Sequence, residues 1–314
     1  MRRLLAVLRS TPVRVGFLLV ALAAAVYAVV TQWDSIVAAA SGLSPWALAG
    51  SLVASIVYVL LTMMAWRALL ADMGTRLPIA PSFSVFFVSQ LGKYLPGGVW
   101  NILAAAEMGA DHKIPRRRSV SVMLVTVVVS IVTGLGLAVA TMPFAPSALA
   151  SSYGWTVLAL PVFLIMLLPP VLNRLLAVAL RVTGRPPLER PISWGGLAVC
   201  VIWTLLSWVV AGLQVWLLAS GLGMAASAST FALCVGGYAM AWTVGFLVIF
   251  VPAGAGVREA VLAIVLAGAL SRGGVVAVVL LSRVVLTAAD LLMGGAGLAL
   301  ARLHGPSRES AQAS

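Results

Sequence analysis

Apolar runs of bilayer length recur along this chain from about Val13 to Leu300. A helix needs roughly 20 apolar residues to cross the hydrocarbon core of a membrane. Inside that core every backbone N–H and C=O must be satisfied by the protein itself, so such runs fold as helices. Composition agrees. Of 314 residues, 62% are hydrophobic and 9% charged, whereas soluble domains carry about 25% charged residues. The sequence therefore predicts an all-α, polytopic membrane protein with about six full transmembrane helices and two Pro/Gly-broken segments.

The charge pattern sets a topology. The formal charge is +12, from 20 Lys+Arg against 8 Asp+Glu. In a soluble chain that excess would suit nucleic acid. Here the basic residues sit in short loops between apolar runs, the positive-inside pattern of membrane proteins, and we exclude nucleic acid as a partner. The stretch MRRLLAVLRSTPVR followed by GFLLVALAAAVYAVV resembles a signal peptide. No soluble domain follows it, so it reads as a retained first helix with Arg2, Arg3, Arg9 and Arg14 in the cytoplasm. The expected location is the cytoplasmic membrane of a cell, multi-pass, with the N-terminus inside.

Full spans are expected at about Val13–Val30, Trp46–Leu70, Ser119–Met142, Gly154–Leu172, Trp194–Ala219 and Val275–Leu300. Between the second and third lies FSVFFVSQLGKYLPGGVWNILAAAEM, followed by the basic cluster DHKIPRRR. A single crossing there would put Lys113 and Arg116–Arg118 outside, against the charge rule. Pro96, Gly97 and Gly98 break the segment in its middle. The flanks, about Phe83–Leu95 and Val99–Met108, are each too short to span. A re-entrant hairpin entering from the cytoplasm satisfies both constraints. The second broken segment, about Ala228–Leu270, turns at PAGAGVRE, Pro252–Glu259. Its first flank is long enough to span, so a hairpin entering from outside and two full helices both remain open. The regions 83–142 and 229–300 thus repeat one pattern, readable as inverted repeats within a single membrane domain, 1–304. A polar tail, 305–314, is expected to be disordered.

Short Gly/Pro-interrupted segments at matching places in two halves point to a transporter's binding site. Irregular backbone at membrane depth is tolerated only where protein packs on it or where it lines a wet cavity. Half-helix N-termini near Val99 and Val257 would offer free N–H groups to an anion. Lys93 precedes the first break; Arg258 and Glu259 follow the second. Ionisable groups at depth usually face a cavity and pair. Two readings follow. Lys93 and Arg258 hold an anionic headgroup while Glu259 orients Arg258 or exchanges with substrate, or these residues form a structural ion pair pinning the segments together. On the last helix Arg283, Thr287 and Asp290 share one face, either as a polar stripe on the cavity or as an internal salt link. The candidate substrate-binding residues are therefore Lys93, Pro96, Gly97, Gly98, Asn101, Pro252, Gly254, Gly256, Arg258, Glu259, Arg283 and Asp290. Gln90, Asn101 and Gln214 are uncharged candidates, each also readable as a helix–helix hydrogen bond. Glu107 reads as a solvated residue near Arg116–Arg118. Trp33, Trp46, Trp155 and Trp194 near run ends read as interfacial anchors.

Several chemistries find no motif. Cys200 and Cys234 lie in apolar runs without metal spacing, and His112 and His304 have no partner cluster. There is no Walker loop, nucleophile elbow, HExxH or carboxylate cluster. No metal, cofactor or catalytic residue is expected, and the chain reads as transporter-like rather than as an enzyme.

At the two breaks the chain resembles a known group. SQLGKYLPGGVWN (Ser89–Asn101) and VPAGAGVREAVL (Val251–Leu262) look like the paired signatures of the flippase-like family. That family is built on the membrane region of lysylphosphatidylglycerol synthetases, the multiple peptide resistance factors. The resemblance covers nearly the whole chain and implies a re-entrant-helix fold and the translocation of a lipid with a polar headgroup. In full-length members a C-terminal domain makes aminoacyl-lipid; this sequence ends soon after its last helix, so that activity is expected to be absent. Many relatives carry an Arg within two turns of the first Pro-Gly, where Ala104–Ala106 and Glu107 stand here. The favoured function is translocation of an anionic lipid or a polyprenyl-phosphate-linked headgroup. The alternatives are an intramembrane lipid-modifying transferase and a non-catalytic membrane partner of a glycosyltransferase; homo-oligomers are open.

Overall fold

The computed structural model describes residues 41–95, 99–144, 151–182, 190–248 and 252–303, together with Val37 and Gly184. The first apolar run, Trp33, the turn Pro96–Gly98 and the tail 305–314 lie outside the described residues. In chain order the helices are α1 Pro45–Asp72, α2 Ile79–Gln90, α3 Trp100–Asp111, α4 Arg116–Thr141, α5 Leu160–Met166, α6 Pro169–Val182, α7 Trp194–Gly221, α8 Ala228–Leu247, α9 Val257–Leu266 and α10 Arg272–Leu303. No strand occurs among the described residues. Helices α1, α4, α7, α8 and α10 are each long and apolar enough to cross a membrane. The chain is thus an all-α, multi-pass membrane protein.

Local chemistry sets where these helices begin. The Ser44 hydroxyl accepts from the Ala47 N–H and Pro45 occupies the first turn of α1, where a missing N–H costs nothing. Ser193 caps α7 by accepting from the Gly196 N–H. Asp72, at the end of α1, takes the Ser193 N–H at 2.9 Å and ties the two helix ends together. Ser227 and Thr230 form a capping box at the start of α8, satisfying two orphan donors reciprocally. Trp46, Trp155 and Trp194 are exposed near element ends, the position expected of interfacial anchors.

One expected span is not a single helix. The run Gly154–Leu172 folds as a 3-10 turn, Gly154–Ala159, then the seven-residue α5. The chain then bends by 80° into α6. Pro169 and Pro170 are the physical reason. Neither has an N–H for the helical ladder, and their rings crowd the preceding turn. Asn173 anchors α6 through two hydrogen bonds to the Ile192 backbone, at 3.0 and 2.9 Å.

The core forms where α7 lies along α1 and against α8, with α8 on α4 and α10 on α1 and α2. Trp66 and Trp208 are fully enclosed there. Gln214 links three helices. It donates to Ser51 Oγ at 3.2 Å and accepts from Ser282 Oγ at 3.0 Å, the interhelical role open to it in the sequence.

The two broken segments share an order of elements. In the first, α2 runs into a 3-10 turn, Leu91–Tyr94, followed by α3 and α4; in the second, α8 is followed by the turn Pro252–Gly254, α9 and α10. With 12 and 10 residues, α3 and α9 reach about 18 and 15 Å at 1.5 Å per residue, short of a core of about 30 Å. The second segment therefore has one arm of spanning length, α8 with 20 residues, and one of half length. Two full spans do not form, because α9 ends at Leu266 and Gly268, just beyond its C-cap, takes φ +88°. The turns Leu91–Tyr94 and Pro252–Gly254 lie against each other. The two broken segments thus touch through these turns.

Candidate functional site

A cavity of about 140 Å³ opens where the breaks meet. The first segment lines it with Gln90, Lys93 and Asn101, the second with Ala253 and Arg258, and α10 with Asp290. Tyr58, Phe86, Trp242 and Phe246 form its aromatic wall. Five charged side chains gather in and beside it, and their pairing differs from what spacing alone implied.

Lys93 is paired. Its Nζ lies 2.6 Å from Asp290 Oδ2, and the Tyr94 hydroxyl donates to the same oxygen at 2.7 Å. Asp290 is buried, so both contacts offset the desolvation of its carboxylate. The approach depends on Gly294, one turn further along α10. A Cβ there would lie 2.9 Å from the Leu91 methyls, forcing helix and turn apart.

Glu259 forms its ion pair with Arg283 rather than Arg258. Its Oε1 lies 3.1 Å from Arg283 Nη1, and its Oε2 is buried without a hydrogen-bond partner. The same Arg283 nitrogen donates to the Ala253 carbonyl at 3.2 Å. Ala253 is a non-glycine residue at φ +49°, a left-handed conformation that costs free energy and persists only when its surroundings hold it. Arg283 supplies that hold. Arg283, Thr287 and Asp290 do share one face, with the Thr287 hydroxyl donating to the Arg283 carbonyl. The two ionic residues do not salt-link to each other. Asp290 reaches the first break and Arg283 the second.

Among the described residues, no carboxylate forms an ion pair with Arg258. Its Nη2 donates to the Tyr238 hydroxyl at 2.7 Å, and its guanidinium lies 5.4 Å from the centre of the Tyr238 ring. Tyr238 is steadied by an edge contact with Tyr58 at 5.9 Å. The arginine stem runs through a slot made by missing side chains. A methyl group at Gly245 would overlap Arg258 Cγ, and one at Gly254, at φ +68°, would lie 3.0 Å from Cδ. Gly245 is thus required by the arginine that passes it, while Gly254 is required as well by its φ and by the Gly245 carbonyl, 2.9 Å from where its Cβ would lie.

The other sequence candidates fall as follows. Asn101 is buried on the cavity wall, in the first turn of α3. Pro252 opens the turn that carries Ala253 and Gly254. Gly256, at φ +81°, is the N-cap of α9 and provides no side-chain cap; Val99 at α3 likewise provides none. Pro96, Gly97 and Gly98 lie outside the described residues. Glu107 is not solvated: it is buried, and Arg116 grips it with two hydrogen bonds of 2.7 and 2.8 Å. Sequence reasoning missed Tyr94, Tyr238, Tyr58 and Trp242. The signal for the first was available, since Tyr94 adjoins Lys93; nothing local marked the others.

These features define a polytopic α-helical membrane protein with its polar side chains gathered in an internal cavity between two broken segments. Over residues 13–294 the chain matches the family described as the lysylphosphatidylglycerol synthase TM region, and it belongs to that family. It is thereby a membrane protein of lipid metabolism or transport. No curated protein matches it.

Proposed function

We propose that this protein is a lipid translocase of the cell membrane, moving an anionic lipid or lipid-linked headgroup between leaflets. The observation that carries this reading is the cavity where two chain breaks meet, holding cationic and amide groups beside an aromatic wall. A polar headgroup crossing hydrocarbon unaided loses its hydration, at a cost of several kcal/mol or more for a charged group. A sheltered polar cavity replaces that hydration, while the acyl chains stay in lipid. In this reading α2 and α3 form a re-entrant hairpin, and the uncapped N-termini of α3 and α9 add free N–H groups to the headgroup site. Membership of a lipid-related family supports the substrate class.

Reconstitution into liposomes tests the reading. Purified protein with a fluorescent anionic lipid should accelerate transbilayer exchange over protein-free vesicles, and Arg258→Gln should remove most of that acceleration. Exchange at the protein-free rate for every anionic lipid tried would contradict it.

A further inference from the structure

The pairing of the charged residues fixes how much charge the cavity can accept. Among the described residues, Lys93, Arg258, Glu259, Arg283 and Asp290 are the ionisable Lys, Arg, Asp and Glu side chains in or beside the cavity. Three cations face two carboxylates, which leaves one positive charge. The undescribed residues within the two breaks, Pro96–Gly98 and Ile249–Val251, carry no ionisable side chain. Geometry shows where the surplus sits. Asp290 neutralises Lys93 at 2.6 Å and Glu259 neutralises Arg283 at 3.1 Å. Arg258 donates to the Tyr238 hydroxyl and lies against its ring, and among the described residues no carboxylate forms an ion pair with it.

We infer that Asp290 is a specificity-determining residue: by neutralising Lys93, it sets the cavity to match a headgroup with one negative charge, held by Arg258. This rests on the translocase reading and deepens it. A second negative charge entering the cavity would find its nearest cation already satisfied by a buried carboxylate, and unmatched charge in a sheltered site is strongly disfavoured. Removing the Asp290 charge frees Lys93. The cavity then holds two cations facing the same space, Lys93 and Arg258 both lining it, and its preference shifts to a doubly charged headgroup. Tyr94, which donates to Asp290, can donate to an amide oxygen at that position too, so Asp290→Asn changes charge with little change of shape.

The test measures binding rather than transport, so that it fails independently of the translocase reading. Purified protein in nanodiscs is titrated with phosphatidylglycerol (one charge), a diacylglycerol diphosphate (two or more) and uncharged diacylglycerol. The native protein should bind phosphatidylglycerol about tenfold more tightly than the diphosphate. Asp290→Asn should reverse that order, and Lys93→Gln added to Asp290→Asn should restore it. Arg258→Gln should abolish the preference for phosphatidylglycerol over diacylglycerol. A folded Asp290→Asn variant with the native order of affinities would overturn the inference. Should Asp290→Asn fail to fold, the Lys93→Gln/Asp290→Asn variant decides: the native order supports the inference and a preference for the diphosphate overturns it. Selective binding without accelerated exchange in liposomes would sink the translocase reading alone.

Discussion

The two breaks are built alike and wired oppositely. Each has a turn, a short helix after it and a long helix beyond, and each sends ionisable side chains toward α10. At the first break α10 answers with a carboxylate: Asp290 closes on Lys93 and Tyr94. At the second it answers with a guanidinium: Arg283 closes on Glu259 and on the strained Ala253 carbonyl. The cation of the first break is therefore consumed by structure. The second break spends its carboxylate on α10 and leaves Arg258 facing the cavity. The comparison teaches that a buried cation next to a Pro/Gly break is not by itself a ligand group. What its neighbours have already neutralised decides its role.

This difference makes single and double substitutions diverge in a defined order. The largest expected effect on stability is at the first break. Lys93→Met strands Asp290 in a buried site, and breaking such a pair costs about 3 kcal/mol. Thermal or denaturant unfolding in detergent should show the loss, and Lys93→Met combined with Asp290→Leu should recover most of it. If single and double variants lose equally, the pair is not the latch described here. Next comes Glu259→Gln. It leaves Arg283 with the Ala253 carbonyl as its remaining charge-assisted bond, a loss of about 2 kcal/mol, and increased proteolysis near Ala253 should accompany it. Gly245→Ala forces the Arg258 stem out of its slot, with an overpacking cost of about 1–3 kcal/mol and a fall in anionic-lipid affinity. Arg258→Gln should cost only about 1 kcal/mol of stability, the worth of one hydrogen bond to a phenol, yet it should reduce anionic-lipid affinity about tenfold. That split between stability and binding is what separates the second break from the first. Smallest is Ser51→Ala. Loss of the one hydrogen bond that Ser51 Oγ accepts from Gln214 should cost about 0.6 kcal/mol, the average for such bonds between membrane helices.

Much of the fold was legible because hydropathy and Pro/Gly punctuation report directly on bilayer spans. The expected runs at Trp46–Leu70, Ser119–Met142, Trp194–Ala219 and Val275–Leu300 match α1, α4, α7 and α10 to within a few residues at each end. The bend at Pro169–Pro170 was not anticipated, because an average over apolarity does not register missing N–H donors. The site was legible in part for a similar reason. Proline and glycine mark a break wherever it occurs, so Lys93, Arg258 and Glu259 could be singled out from their positions. Helical spacing also placed Arg283 and Asp290 on one face. Spacing on α10 cannot say which break each residue meets, since that depends on how the turns pack across the bundle. Hence spacing could suggest Glu259 beside Arg258 but could not show that its ion pair is with Arg283. Tyr238 and Tyr58 were invisible for the same reason: an aromatic in an apolar helix becomes a site residue only through what packs opposite.

The central claim is that the two breaks face one another across a single cavity. Its most direct test is cross-linking. In a protein with Cys200 and Cys234 replaced by Ala, cysteines are introduced at Gln90 and Ala253, one on each broken segment and both on the cavity wall. A short bifunctional thiol reagent should join them within one chain in high yield, as it should a control pair at Ser51 and Gln214, which are hydrogen-bonded at 3.2 Å. Efficient linking of the control with none between positions 90 and 253 would mean that the breaks do not meet.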